Sequence, residues 1–196
     1  DLTRVTLKKA HNTGLPVFHF SDKDQVGATF GERFTNAIAN VFDKGFSSII
    51  TIGNDTPHLK TQHLKHTAKQ LSLGKTVIGP SNDGGFYLLG LQKSNFDVSG
   101  FHNLPWQRFS LYHQISLWLR KESSELIKLP VLQDLDNEKD LQTILSFSRS
   151  LSSILLLLII RLLRIKRSLN YTNQNFLCLF PDRFMFNKGS PEVLFV

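Results

Sequence analysis

The stretch that most constrains this chain reads GPSNDGGFYLLGL and spans residues 79–91. One apolar run ends just before it at Ile78 and a second begins at Phe86, so two hydrophobic segments flank the polar corner at residues 83–85. Both segments are rich in β-branched or aromatic residues and bounded by glycine, which predicts two strands. The second lacks polar alternation, as expected for a strand buried on both faces. The corner is typical of a hairpin turn or of a ligand-binding loop, and at least one of its glycines is expected to take a positive φ.

A second polar segment follows another predicted strand. Residues 47–53 read SSIITIG and run directly into Asn54, Asp55 and, after one residue, Pro57. The acid therefore falls at the carboxyl end of a strand, which is where open α/β sheets bind their ligands. A local turn or a helix cap is the alternative interpretation of Asp55.

Strands and amphipathic helices alternate along most of the chain, which predicts an α/β fold: a three-layer sandwich with a mostly parallel sheet. Glu32 and Arg33 lie on the first turn of one predicted helix, where a solvated surface pair is the ordinary interpretation. Trp106 begins another helix, and its indole serves either the core or the wall of an acceptor pocket. A short strand at residues 129–132 leads to Asp136, which also suits the start of a helix.

Four segments, in order along the chain, resemble motifs of the DUF2064 family, whose members are proposed glycosyltransferases. They are QVGATFGERF at residues 25–34, NDTPHL at 54–59, GPSNDGGFYLLGL at 79–91 and LQDLDN at 132–137. Departures from the family's motifs include Phe86 and Asn137, which stand where the family has tyrosine and threonine. The resemblance covers about residues 15–145.

The resemblance implies a GT-A fold, like that of nucleotide-diphospho-sugar transferases, and the transfer of a sugar from a nucleotide-diphosphate donor to an acceptor. It implies that Asp55, and more weakly Asp136, hold Mg²⁺ or Mn²⁺, hard cations that bind carboxylate and phosphate oxygens. Asp83 would be the catalytic residue, at the sugar or acceptor pocket. The residues expected to bind substrate are Gly84, Gly85, Tyr87, Asn54, Trp106, Glu32 and Arg33.

The family's first strand and the basic loop after it have no counterpart here, so the sequence predicts a domain that is incomplete at its N-terminus. A nucleotidyltransferase of the same fold is an alternative function, although such an enzyme usually carries a glycine-rich, basic loop in that region. A non-catalytic binding domain is a further alternative, because a fold does not determine a function.

The net charge and the distribution of basic residues limit the classes of binding partner that are expected. The chain has 196 residues and a net charge of +7. Its basic residues are spread out apart from one cluster, Arg161, Arg164, Lys166 and Arg167. No zinc-finger, RNP or helix-turn-helix pattern accompanies them, so no nucleic-acid partner is expected. His63 and His66 lack a third ligand and are predicted to be surface residues.

The predicted domain spans residues 1–147, and residues 148–196 are predicted to form a C-terminal helix and tail packed on it. The apolar run at residues 154–160 is too short to span a membrane, so a packed helix is favoured over weak contact with an anionic membrane surface. Cys178 is the only cysteine and no signal peptide is recognised, and we predict a cytoplasmic location.

Overall fold

The computed structural model describes residues 2–21, 23–122, 125–133, 157 and 192–195. The chain divides into two compact units, one of residues 1–134 with 189–196 and the other of residues 135–188. Every helix and strand given below belongs to the first unit. The predictions made for Asp134, Asp136 and the C-terminal helix lie outside the described residues.

The described residues form five α-helices, and their buried residues recur at helical spacing. They are α1 (Leu2–His11), α2 (Phe30–Phe42), α3 (Thr61–Ser72), α4 (Val98–His102) and α5 (Leu111–Glu122), with a 3₁₀ turn at Lys93–Asn95. The helix predicted to start at Trp106 begins later, at Leu111, because Gln107 takes a φ of 60°, which no right-handed helix accepts. No helix in the described ranges is long and apolar enough to cross a membrane.

The described strands form one six-stranded sheet. They are β1 (Val17–Phe18), β2 (Ser48–Ile52), β3 (Thr76–Pro80), β4 (Phe86–Gln92), β5 (Leu126–Lys128) and β6 (Glu192–Phe195), in the spatial order β1-β6-β2-β4-β3-β5. The predicted strand at residues 129–132 is replaced by β5, which precedes it, and by an isolated bridge between Leu132 and Ser81. The sequence did not predict β6.

The α/β fold class is confirmed, but the strand directions differ from those of a mostly parallel sheet. β1, β2, β3 and β5 run one way and β4 and β6 the other, so β3 and β5 are the one parallel pair among the described strands. β4 is reversed because it returns from β3 through a short turn and then lies between β2 and β3.

Helices cover both faces of the sheet, as predicted. On one face α2, α4 and α5 pack in a core with Ile49 of β2 and Leu89 of β4. On the other face α1 and α3 pack in a second core with Ile50 and Leu88. Successive strand residues enter opposite cores because side chains alternate across a strand. β2, β3 and most of β4 are therefore buried on both faces.

Tyr87 connects the centre of the sheet to the segment after β5. Its side chain is fully buried, and its hydroxyl donates a hydrogen bond to the Pro130 carbonyl at 2.9 Å. We expect Tyr87→Phe to lower the free energy of unfolding, measured in urea, by about 1 kcal/mol, the net value of one hydrogen bond. Tyr112→Phe is the matched control, because the half-buried Tyr112 hydroxyl makes no hydrogen bond within the described residues. Equal losses in the two variants would contradict this role.

Candidate functional site

Three loops meet at one edge of the sheet, because the carboxyl ends of β2, β3 and β5 all point to it. Gly53, directly after β2, donates its N–H to the Tyr87 carbonyl in β4 at 3.0 Å. Leu132, in the segment after β5, pairs with Ser81, the residue after β3. This edge is the expected place for a ligand in an α/β sheet.

Two of the three predicted acids lie at this edge. Asp55 follows β2, and Asp83 lies in the turn between β3 and β4. Asp136 is outside the described residues. In the part of the chain that the structure describes, no three His, Cys, Asp or Glu side chains form a cluster suited to a metal ion.

Asp83 closes its own turn. Its Oδ1 accepts hydrogen bonds from the Ser81 hydroxyl at 2.5 Å and from the Gly85 N–H at 2.9 Å. The Ser81 N–H in turn donates to the Gly85 carbonyl at 3.1 Å. The hairpin interpretation of this corner therefore has direct support, and the same bonds hold the carboxylate in one orientation.

Gly84 brings the corner against the segment before α5. Its φ is +85°, which agrees with the expectation of a positive φ at this corner, and a β-carbon here would lie 2.2 Å from the Phe109 carbonyl oxygen. The Gly84 carbonyl accepts a hydrogen bond from the Tyr112 N–H at 2.8 Å. Glycine is required for both the backbone conformation and the close approach.

The Asp55 loop contacts the end of β2 and helix α1. Asp55 is half-buried and folds back over the end of β2, since a β-carbon on Gly53 would lie 2.9 Å from its Oδ1. Asn54 donates from its side chain to the Thr3 hydroxyl on α1 at 3.2 Å. The side-chain amide of Asn54 therefore contacts α1.

A cavity of about 480 Å³ lies beside the first turn of α2. Its walls are residues 29–31 at the start of α2 and residues 102–108, which comprise the last residue of α4 and most of the connection to α5. His102 and Arg108 are the ionisable residues among the described residues that line it, and the Glu32 carboxylate lies close enough to His102 to interact with its charge. The lining itself therefore contributes basic side chains that suit an anionic ligand. Sequence reasoning missed both residues, because His102 ends a short helix and Arg108 lies in the irregular connection after it, and neither belongs to a motif.

Trp106 belongs both to this cavity wall and to the core. Its indole N–H donates to the Phe101 carbonyl at 2.7 Å, and its ring centre is 4.9 Å from that of Phe34. A β-carbon on Gly31 would lie 2.3 Å from Trp106 Cδ1, so a glycine at that position lets the indole pack directly on α2. The core position expected for Trp106 is confirmed, whereas its place in the wall of an acceptor pocket stays a prediction.

Glu32 and Arg33 have different surroundings. The Glu32 carboxylate accepts hydrogen bonds from the N–H groups of Ala28 at 2.7 Å and Thr29 at 3.3 Å, and these bonds lower the pKa of Glu32. Glu32 and Thr29 form a capping box that begins α2. Arg33 is half-buried, and its Nε is buried without a hydrogen-bond partner among the described residues. The Nε of Arg33 is therefore a buried donor that no described residue satisfies.

Tyr87, expected to bind substrate, has a buried position, and Gln107 has a strained backbone conformation. The Tyr87 ring lies under Gly79, where a β-carbon would be 2.5 Å away, and its hydroxyl is bonded to Pro130, so the structure gives Tyr87 a packing role. Gln107 lines the cavity and is the one residue other than glycine with a positive φ in the described ranges. Strained backbone of this kind is concentrated at ligand-binding loops.

The fold and this edge define a mixed α/β domain with a candidate ligand site at the carboxyl ends of β2, β3 and β5. The chain is similar to the crystal structure of a "putative nucleotide-diphospho-sugar transferase" from Desulfovibrio desulfuricans G20, with 29% sequence identity and a TM-score of 0.57. The match covers 61% of this chain and 52% of that chain, so the chain spans about half the length of that structure. No curated protein matches the chain.

The sequence also identifies the family. Residues 8–108 match the family described as "Uncharacterized protein conserved in bacteria (DUF2064)". This match spans more than half of the chain and includes the segments at residues 25–34, 54–59 and 79–91. The chain therefore belongs to the DUF2064 family.

We expect Gly84→Ala to destabilise the domain more than Gly45→Ala. Both glycines have a positive φ, but a β-carbon meets the Phe109 carbonyl at Gly84 and nothing within 4 Å at Gly45. The shared backbone strain costs about 1–2 kcal/mol, and the clash at Gly84 adds about 1–3 kcal/mol. Urea unfolding measures the difference between the variants. Equal losses would show that the corner moves freely away from Phe109.

Proposed function

We propose that this domain belongs to a glycosyltransferase that moves a sugar from a nucleotide-diphosphate donor to an acceptor. The observation that carries the proposal is the meeting of the Asp55 loop and the Asp83 corner at the carboxyl edge of β2 and β3. Nucleotide-containing ligands bind at this edge in α/β sheets. The similar Desulfovibrio structure, named for nucleotide-diphospho-sugar transfer, supports the class of donor.

The cavity beside α2 suits the anionic part of such a donor. His102 and Arg108 line it, and Arg33 on the first turn of α2 has a buried Nε with no partner among the described residues. Guanidinium groups bind phosphate oxygens through paired N–H donors. We therefore assign the diphosphate to the side of the site near α2 and the transferred sugar to the Asp83 corner.

A divalent cation, Mg²⁺ or Mn²⁺, is part of the proposal. Magnesium is commonly bound through one or two carboxylates together with substrate phosphates, so Asp55 would be a sufficient ligand from the described part of the chain. The half-buried carboxylate of Asp55 at the end of β2 fits this role. When bound, the cation neutralises the charge that develops on the leaving diphosphate.

The chain's own residues would orient the sugar and the acceptor. Asp83, held by Ser81 and Gly85, offers a fixed carboxylate to a sugar hydroxyl, and Gly84 and Gly85 allow a close approach to the backbone. During transfer the bond between the anomeric carbon and the diphosphate breaks. The acceptor oxygen bonds to that carbon and loses its proton.

We expect UDP or GDP to bind in the presence of Mn²⁺, and to bind at least about tenfold more weakly to Asp55→Asn, because the change removes a charged ligand. Isothermal titration calorimetry measures both affinities. Asp43→Asn is the matched control, since Asp43 is an exposed carboxylate at the end of α2. Binding that needs no metal, or that is equal in the two variants, would remove Asp55 from the site.

Product analysis separates this reaction from nucleotidyl transfer at the same edge. Glycosyl transfer releases a nucleoside diphosphate from the donor, whereas the nucleotidyltransferase alternative releases pyrophosphate. Anion-exchange chromatography of the reaction mixture distinguishes the two products. Pyrophosphate as the released product would overturn the glycosyltransferase proposal while leaving the nucleotide site in place.

A further inference from the structure

Helices α1 and α3 pack against each other on one face of the sheet, and neither contains an acidic residue. Thr61, at the start of α3, donates its hydroxyl to the Lys9 carbonyl at 3.1 Å, which brings the end of α1 to the beginning of α3. Lys60, the exposed N-cap residue, and His63, on the first turn of α3, lie at this junction. Basic side chains therefore converge where the two helices supply no carboxylate.

Lys9 carries the central positive charge of this junction. It is half-buried, and its ammonium donates to the Pro57 carbonyl at 2.9 Å. It makes no ion pair with any described residue, and burial lowers its pKa to about 8. An ammonium group has three donors, and burying one without an opposite charge is unfavourable. Two of the three N–H donors of Lys9, together with its positive charge, therefore remain for an anion.

His63 supplies a neutral donor. Its Nδ1 accepts the Lys60 N–H at 3.3 Å, so the neutral ring carries its proton on Nε2. Burial, and then repulsion from Lys60, His66 and Lys9, lowers the pKa of His63. Burial, and then repulsion from Lys9 and Lys60, lowers the pKa of His58 in the same way. A bound anion would relieve this repulsion between like charges.

We propose that Lys9, Lys60 and His63 bind a phosphate-type oxyanion at the junction of α1 and α3. Two ammonium groups and one imidazole N–H form a donor set that suits a phosphate monoester. The site goes beyond the proposed glycosyl transfer and is separate from the cavity beside α2, because α2 and the wall of that cavity pack in the core on the opposite face of the sheet. It adjoins the loop that carries Asp55, whose Pro57 carbonyl binds Lys9. The phosphate has two sources, a soluble phosphorylated metabolite or the headgroup of a membrane lipid.

Binding is coupled to protonation of Lys9. The remaining titratable groups on α1, α3, β4 and the loop before α3 are Arg4, Lys8, His11, Asp55, His58, Lys65, His66, Lys69 and Tyr87. An anion raises the pKa of Lys9 from about 8, so the affinity is full below that value and falls as the pH rises through it. Sulfate is the appropriate probe, because it keeps its double charge throughout the neutral range.

Titration with sulfate at constant ionic strength, followed through the histidine Cε1–H resonances, tests the site without nucleotide or metal. We expect a saturable shift of His63 and an affinity about tenfold lower in Lys60→Gln, an exposed position where the change does not affect folding. Lys9→Met is the second variant, and Lys69→Gln, on the last turn of α3, is the matched control. No saturable shift, or equal affinities in Lys60→Gln and Lys69→Gln, would overturn the proposal.

Two further titrations separate the sources of phosphate. Displacement of sulfate by glycerol 3-phosphate, without binding to phosphatidylcholine vesicles that contain phosphatidic acid, identifies a soluble ligand. Vesicle binding that Lys60→Gln and Lys9→Met weaken identifies a lipid headgroup. Vesicle binding that neither variant changes would reflect general surface charge and would count against the site.

Discussion

The rest of the described structure depends on β4, which lies between β2 and β3 and is buried on both faces along most of its length. Its ladder with β2 runs from the pair Ser48 and Gln92 to the pair Ile52 and Leu88. Because side chains alternate across the strand, a slip of one residue would exchange Leu88 and Leu89 between the two cores, which strongly disfavours any other register. The register of β4 in turn sets the distance between the Asp55 loop and the Asp83 corner.

Aromatic packing joins this edge to the cavity beside α2. Phe86, the first residue of β4, has its ring centre 6.0 Å from that of Phe34 in α2 and 6.2 Å from that of Trp106 in the cavity wall. The contact of Gly84 with Phe109 connects the same parts through the backbone. Donor and acceptor would therefore bind to parts of one packed frame, in which the reacting groups are held in fixed positions.

Sequence reasoning succeeded where structure is set by neighbours in the chain and was wrong where it is set by distant contacts. The two strands and the positive φ at residues 79–91 follow from glycine positions and apolar runs within a few residues. The insertion of β4 beside β2 depends on a partner far away in sequence, and so does the burial of Tyr87 against Pro130. The cavity is lined largely by the irregular residues 103–108, whose conformation no hydrophobic period encodes.

The place of β6 has a consequence for how the sheet assembles. β6 comes from the far end of the sequence and lies between β1 and β2, and it is the strand with which β1 is paired in the described sheet. The strands β2 to β5 can associate through contacts within residues 48–128, whereas β1 must wait for a loop closure that spans most of the chain. Contacts between residues so far apart in sequence form slowly, so we expect β1 to join the sheet as a late step of folding, after synthesis of β6.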